Sequence, residues 1–397
     1  NFNWSTTQMK KTLIAAAVMA ASGVAFAASN VTLYGVIDTG LLVSKVKHKD
    51  TLVQMSTGFD SGSRWGIKGV EDLGNGYAVG FQLEQGFDSD TGADNATSSA
   101  GKSFGRESRL YVTGAFGELG FGRFGSLASG AGSYNILTGW VFGTSYDVSG
   151  SWTSFGRANS RVNNAIAYVS PSFAGFNLYA MYSNGTSDDA NKWAKNDHYY
   201  GLGLKYANGP AKASLIFEAA DNKSNYDIAA TAEPWDVGSK LVEKFTGIKG
   251  AFDKDDADEV GVAKFKAKTS YAITAGGAYN FGVVEAQGIY QYAWQSDFYK
   301  QHAFGLGIKA PVAGGTFGLG ARMLLGKFDG TAKTILCKED TDKYRAWNIG
   351  ANYKYPLSKR TAVYGYAGYS DGAKWLKDVD SGKYNGWAVG TGLVHSF

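Results

Sequence analysis

Stretches of about ten residues in which apolar side chains alternate with small or polar ones constrain the fold of this chain more than any other feature. Between Tyr77 and Gln85, the apolar side chains of Tyr77, Val79, Phe81 and Leu83 alternate with small or polar ones. A strand places successive side chains on opposite faces, so each stretch has one apolar and one polar face. The same pattern recurs at 31–38, 201–206, 317–325 and 387–393. Strands of this length can cross a bilayer at a tilt, whereas shorter ones would suit a soluble sandwich.

Short and long connections alternate between these strands. Short turns are predicted near 72–76, 171–175, 207–210, 280–282, 311–315 and 356–359, and longer polar stretches near 88–102, 126–158, 185–196, 223–266, 328–342 and 371–382. Short turns at one end and long loops at the other are typical of barrels in the bacterial outer membrane. The predicted fold is all-β, a transmembrane antiparallel β-barrel of about 16 strands that closes to leave no unpaired edge in lipid.

Composition agrees with many strands joined by tight turns. Glycine accounts for 54 of 397 residues, about twice the usual share, and proline for only 5. The formal net charge of +4 is close to balance and argues against nucleic acid as a partner. Cys337 is the one cysteine, so the chain forms no internal disulfide. No Pro-rich, Ser-rich or singly charged linker divides the chain into domains.

The N-terminal region has the three parts of an export signal. Lys10 and Lys11 are followed by an apolar run at 13–21 and by the triplet 25–27, Ala-Phe-Ala. A membrane anchor is the alternative, but the apolar run is shorter than the roughly 20 residues that a spanning helix needs. We expect cleavage after Ala27, with residues before Met9 an upstream extension, so that 1–27 is removed and 28–397 forms a single barrel domain.

The stretch 126–158 is the best candidate for a segment that narrows the barrel. It is rich in glycine and serine and holds six aromatic side chains, Tyr134 and Trp140 among them. An exposed loop is rarely so aromatic, because water opposes the exposure of apolar rings. We therefore expect this loop to fold into the lumen and pack on the wall. A cap formed with neighbouring external loops is the alternative.

Several basic side chains are predicted to face the lumen, because their neighbours along the strand take the lipid face. An arginine on the lipid face at mid-bilayer would cost roughly 2–4 kcal/mol. Trp65 takes the lipid face beside Arg64, and Leu110 takes it beside Arg109. The parity of Phe121 leaves Arg123 ambiguous, unless a bulge at Gly122 or Gly125 turns it inward. The predicted basic set of the constriction is Arg64, Lys68, Arg109, Arg123 and Arg161. The alternative is that these side chains are solvated at the rim of the barrel, in contact with lipopolysaccharide. It applies above all to Arg157, which lies just before Arg161.

Carboxylates opposite these cations are few. Asp147 is the only one between Gly125 and Ser160, and Glu84 and Glu107 lie on faces that can reach the lumen. Fixed charges set the ion preference of such pores, so we predict a mild preference for anions. Tyr134, Glu84 and Asp147 complete the predicted constriction.

Other constellations are weak. The segment 253–259 resembles half a calcium loop, but it lacks the glycine of the sharp turn and the glutamate at the twelfth position. The four histidines fall in separate segments, so no metal, cofactor or catalytic residue is predicted. Three further hypotheses are a solute-specific channel for small anionic substrates, an outer-membrane enzyme, and an adhesin that uses the loop at 223–266.

Four motifs together resemble the general diffusion porins of Gram-negative bacteria, in particular their β-proteobacterial branch. They are the opening at 31–38, the stretches 63–76 and 161–176, and an alternating last strand that ends on Phe397. The resemblance implies a sixteen-stranded homotrimer in outer-membrane lipid and lipopolysaccharide, with the third external loop folded into each pore. It also implies passive diffusion of ions and small hydrophilic solutes, and insertion by the barrel-assembly machinery, which reads the terminal strand. Many relatives carry several carboxylates in that loop. Here Asp147 stands nearly alone, which favours anions.

Overall fold

The computed structural model describes residues 31–94, 101–137, 161–186, 192–221, 225–227, 264–266, 268–330, 333, 342–372 and 385–397. The predicted export signal, Asp147, Arg157, Cys337 and the segment 253–259 lie outside the described residues. Of the loop predicted to narrow the pore, residues 126–137 are described.

The described chain consists almost entirely of strands. The first nine are β1 Thr32–Val46, β2 Leu52–Thr57, β3 Arg64–Gly74, β4 Tyr77–Gly86, β5 Glu107–Gly114, β6 Gly117–Phe124, β7 Val162–Val169, β8 Phe176–Ser183 and β9 Tyr199–Asn208. The others are β10 Ala211–Ala220, β11 Asn225–Asp227, β12 Lys264–Lys266, β13 Ser270–Asn280, β14 Glu285–Gln295, β15 Tyr299–Val312, β16 Gly315–Phe328, β17 Lys343–Pro356, β18 Thr361–Gly372 and β19 Gly386–Ser396. A 3-10 turn lies at Trp193–Lys195, and no helix among the described residues is long and apolar enough to span a membrane.

The strands form a closed antiparallel barrel. Seventeen of them join one sheet, and β1 pairs with β19 to close it. Residues 39–44 of β1 pair with β2, and residues 32–36 pair with β3. Because β2 and β3 share one place in the wall, the barrel has 16 strand positions, and the predicted count of about 16 is confirmed.

The alternation of side chains gives the barrel an apolar outside and a polar inside. On β15, Gln301 and Ala303 face inward and are buried, whereas Phe304 and Leu306 face outward with exposed fractions of 41% and 71%. Apolar side chains exposed in this way are matched to lipid rather than to water. The inner face carries glutamine, arginine, glutamate and glycine, as a wet lumen requires.

The barrel closes at its last residue. The amide of Phe397 donates to the carbonyl of Gly35 at 3.0 Å, and the amide of Gly35 donates to the carbonyl of Phe397 at 3.0 Å. A Cβ at Gly35 would lie 2.2 Å from the ring of Phe397, so this glycine leaves the space that the ring occupies. The terminal aromatic residue is therefore part of the seam between β19 and β1.

Candidate pore constriction

The described part of the loop after β6 lies against the inner wall of the barrel. Leu127 and Ile136 are buried over the inward-facing glycines of β9, where a Cβ at Gly203 would lie 2.3 Å from Cδ1 of Ile136. The amide of Leu127 donates to the Tyr199 hydroxyl at 3.4 Å. The prediction of an inward fold is confirmed for residues 126–137, and the glycines of β9 are what make room for it.

Tyr134 packs the other side of this loop against β6. Its ring meets that of Phe124 edge to face at 4.7 Å between centroids. A Cβ at Gly120 would lie 1.8 Å from the Tyr134 hydroxyl, so a second inward glycine admits the phenol. Burial raises the pKa of Tyr134 above its usual value, so the side chain is a neutral hydroxyl at physiological pH.

Glu84 on β4 holds two arginines together. Its Oε1 accepts from Nε of Arg106 at 2.7 Å, and its Oε2 lies 3.4 Å from Nε of Arg64. The Tyr34 hydroxyl donates to Oε2 at 3.0 Å, and Nζ of Lys68 lies 5.1 Å from the centre of the Tyr34 ring. Arg64, Lys68 and Glu84 thus all lie on the inner face. Arg106, just before β5, is a member of this cluster that the sequence analysis did not select.

Arg109 on β5 makes a second cluster. Its Nη1 donates to Oε1 of Glu118 at 2.7 Å and to the Tyr134 hydroxyl at 3.1 Å, and its Nε lies 3.1 Å from Oε1 of Glu107. The guanidinium also stacks over the rings of Tyr111 and Tyr134, at 4.3 and 5.2 Å from the ring centres. Arg109 therefore joins β5, β6 and the inward loop at one point.

Among the described residues, Arg123 and Arg161 donate to neutral oxygens rather than to carboxylates. Nε of Arg123 donates to the carbonyl of Gly105 at 2.8 Å, and its Nη1 donates to Oδ1 of Asn163. Nε of Arg161 donates to the carbonyl of Arg106 at 2.8 Å. The pairing of β6 with β7 shifts register between Gly122 and Phe124, which is the bulge foreseen for turning Arg123.

The positive charge extends into the loop before β5. The pKa of Lys102 is lowered, first by the positive charge of Arg123 and then by partial burial. The loop that carries Lys102 also carries Asp88, Asp90 and Asp94. At the constriction itself, five arginines (Arg64, Arg106, Arg109, Arg123 and Arg161) lie with three carboxylates (Glu84, Glu107 and Glu118). Of these three acids, Glu118 was not selected by the sequence analysis, because its partner Arg109 comes into reach only through the β5–β6 pairing.

A second segment, 58–63 between β2 and β3, also folds inward, and the sequence analysis did not select it. The carboxylate of Asp38, buried on β1, accepts from the amides of Asp60 at 2.7 Å and Ser61 at 2.8 Å, and from the hydroxyl of Tyr364. The two amide bonds hold the segment against the inner wall, and the bond from Tyr364 fixes the carboxylate that accepts them. The signal that could have found it is an inward aspartate in an otherwise apolar strand.

This segment supports the arginines. Nη1 of Arg64 donates to Oγ of Ser61 at 2.9 Å and to the carbonyl of Gly62 at 2.8 Å. Asp60 forms an ion pair with Lys354 on β17, across the seam of the barrel. Asp38 thereby positions Arg64 through the backbone of 58–63.

No group of three or more histidine, cysteine or acidic side chains within the described ranges is arranged to hold a metal ion. A closed barrel with an apolar exterior, a charged lumen and a loop packed inside it defines a membrane channel. The arrangement provides fixed charge along an aqueous path.

Comparisons with known proteins agree with that class. A family model described as Gram-negative porin matches residues 14–374. An outer membrane porin of Bordetella pertussis is 30% identical over 98% of this chain and 100% of that protein. Outer membrane porin protein 32 of Delftia acidovorans is 32% identical over 90% of this chain and 88% of its own length. This chain belongs to the Gram-negative porin family and resides in the outer membrane.

A solved structure gives the same result. The anion-selective porin from Comamonas acidovorans has a TM-score of 0.64 and 26% sequence identity, and the match covers 93% of this chain and 100% of that one. The relatives are channels rather than enzymes.

Proposed function

We propose that this porin is a water-filled channel for ions and small hydrophilic solutes, with a mild preference for anions. The observation that carries the proposal is the cluster of five arginines on the inner wall between β3 and β7, Arg64, Arg106, Arg109, Arg123 and Arg161. Three carboxylates, Glu84, Glu107 and Glu118, lie within ion-pair distance of three of these arginines. In the described contacts, Arg123 and Arg161 donate only to neutral oxygens. Fixed charge of one sign at a narrow point raises the local concentration of the opposite ion.

A related solved structure supports a preference for anions. The porin from Comamonas acidovorans, 26% identical to this chain, is described as anion-selective. Residues 126–137 support the same reading, because they carry no charged side chain and so leave the basic wall uncompensated from that side. Asp147 lies further along the same loop, outside the described residues.

A channel specific for small anionic solutes is the second candidate. Tyr111 and Tyr134 flank the Arg109 guanidinium at 4.3 and 5.2 Å, an arrangement that could hold a planar carboxylate in place. Transport that saturates with concentration, and a conductance that the same solute blocks, would favour this candidate over simple diffusion.

The proposed working form is a homotrimer that is exported with loss of residues 1–27 and inserted by the barrel-assembly machinery. Its resemblance to diffusion porins supports the trimer, and the broad apolar exterior supplies surface for it. The pairing of Phe397 with Gly35 gives the terminal residue a structural place in the seam. Cross-linking of the purified protein to a three-chain species tests the assembly, and a monomer alone would contradict it.

The selectivity proposal is tested by replacing two arginines together. In Arg64→Ala plus Arg109→Ala, Glu84, Glu107 and Glu118 lose cationic partners, and the reversal potential in a KCl gradient should move towards cation preference. Arg64→Lys plus Arg109→Lys keeps the charge and should move it much less. An unchanged reversal potential in the alanine pair would show that these two arginines do not set the selectivity.

A further inference from the structure

The seam between β19 and β1 is bridged on its inner face by side chains as well as by backbone bonds. The backbone ladder runs along β1 from residue 36 to residue 46. Tyr364 on β18 reaches over β19, and its hydroxyl donates to the carboxylate of Asp38 on β1. Both side chains are buried, with exposed fractions of 3% for Tyr364 and 0% for Asp38. The last strand therefore lies beneath a hydrogen bond that joins its two neighbours.

Glycines on β19 make this crossing possible. Gly390 and Gly392 share the inward parity of the buried residue Val394. A Cβ at Gly392 would lie 2.2 Å from the Tyr364 hydroxyl, and a Cβ at Gly390 would lie 2.3 Å from Cε1 of Tyr366. Both tyrosine side chains therefore occupy the space over β19 that side chains of this strand would otherwise fill.

The inward segment 58–63 extends the bridge further along the wall. The ring of Phe59 lies 5.2 Å from that of Tyr366 on β18, measured between ring centroids. Asp60 forms an ion pair with Lys354 on β17. The strands on either side of this segment, β2 and β3, both pair with β1. Three side-chain contacts thus connect the beginning of the barrel to β17 and β18, in addition to the β1–β19 ladder.

These contacts depend on the closed state of the barrel. β1 and β18 lie two inter-strand steps apart, about 10 Å, and they keep this spacing only while β19 lies between them. β1 and β19 are far apart in sequence, so no short turn holds them side by side. Separation of β19 from β1 would carry β17 and β18 away as well and would break all three contacts together.

We propose that Asp38, Tyr364, Tyr366 and the segment 58–63, with Lys354, form a clasp that locks the seam of the barrel from inside. β19 separates from β1 only after this clasp opens, so the clasp slows unfolding of the barrel. The role is distinct from ion selectivity and does not depend on the anion preference or the trimer proposed above.

The test measures how fast the purified protein unfolds in hot SDS, followed on a gel by the loss of the band of the folded barrel. Tyr364→Phe removes one hydroxyl from the clasp. Tyr353→Phe is the matched control, because its hydroxyl donates to the carbonyls of Val312 and Ala313, away from the seam. We expect Tyr364→Phe to shorten the half-time of unfolding about tenfold, as for loss of a hydrogen bond to a charged group, and Tyr353→Phe to shorten it less than twofold. An unchanged single-channel conductance shows that each variant forms the barrel.

Two disulfides, each introduced into a cysteine-free background, test whether the clasp acts at the seam. Ser44→Cys plus Ala388→Cys places two thiols opposite each other across β1 and β19. Ala272→Cys plus Ala293→Cys does the same across β13 and β14. Facing residues of antiparallel strands lie at the Cα separation that a disulfide needs. With the seam disulfide formed, Tyr364→Phe should unfold within twofold of the same cross-linked protein that retains Tyr364. With the β13–β14 disulfide, the tenfold effect should remain.

Four results would overturn the proposal. Tyr364→Phe could unfold as slowly as the original protein, or Tyr353→Phe could lose as much. The seam disulfide could leave the effect of Tyr364→Phe unchanged, which would place the stabilising role of this tyrosine elsewhere in the barrel. Both disulfides could also abolish the effect alike, which would show that it is not specific to the seam.

Discussion

Arg64, Arg106 and Arg109 each contact a carboxylate, and this pairing explains how so many guanidinium groups fit on one wall. A guanidinium taken from water needs acceptors, because an uncompensated buried charge is costly. Glu84 serves Arg64 and Arg106 at once, whereas Arg109 uses Glu107 and Glu118. The pairing also lowers the field that these arginines present to a passing ion.

Removing the shared carboxylate should therefore strengthen the anion preference. Glu84→Gln keeps the side-chain size and leaves Arg64 and Arg106 without their ion-pair partner. We expect the ratio of chloride to potassium permeability, measured from reversal potentials, to rise on the order of twofold. Glu71→Gln, at an exposed position on β3, is the control for net charge and should leave the ratio unchanged. A fall in the ratio for Glu84→Gln would contradict the assigned role.

The carboxylate of Asp38 supports the same arginine cluster indirectly, through the segment 58–63. Asp38→Ala leaves two backbone amides and the Tyr364 hydroxyl without their acceptor. Each unsatisfied buried donor costs about 1–3 kcal/mol, so thermal unfolding in detergent should shift clearly downward. Asp38→Asn retains one acceptor oxygen, so its melting temperature should lie between those of Asp38→Ala and the original protein. Equal melting temperatures for all three proteins would show that the segment 58–63 is not held by this group.

At the scale of elements, the inward loop depends on glycines of β9 that leave space on the wall. Gly203→Val places methyl groups where Cδ1 of Ile136 now lies, 2.3 Å from the position of Cβ. The loop must then move towards the centre of the lumen, and the single-channel conductance should fall. Adding Ile136→Ala restores the space and should recover most of the conductance. An unaltered conductance in Gly203→Val would mean that the loop does not limit the path.

The strands and the loop differ in how far the sequence could predict them. Alternation and turn residues depend on neighbours along the chain, and they predicted the barrel and its count of about 16 strands. The aromatic content of 126–158 predicted that this loop folds inward. The separate strand β2 and the segment 58–63 depend on Asp38, Tyr364 and Lys354, which are far apart in sequence. Arg106 meets Glu84 only through the pairing of β4 with β5, and Glu118 meets Arg109 only through the pairing of β5 with β6. Such contacts follow from register, which a single sequence does not reveal.

At the scale of the whole molecule, the barrel wall separates two sets of basic side chains. Arginines inside, between β3 and β7, stand beside the loop that narrows the lumen. Lysines at the ends of β15 to β17, Lys300, Lys327 and Lys343, are exposed on the outer face of the wall. A barrel wall keeps these two sets apart, because successive residues of a strand point to opposite faces. Substitution of the outward lysines should therefore leave the reversal potential unchanged.

The most direct test of the central claim is the reversal potential of the unmodified protein in a planar bilayer with a KCl gradient. The excess of fixed positive charge at the constriction predicts a potential whose sign shows that chloride is more permeable than potassium, with a modest ratio because three glutamates offset part of the charge. A clearly potassium-selective channel would contradict the account.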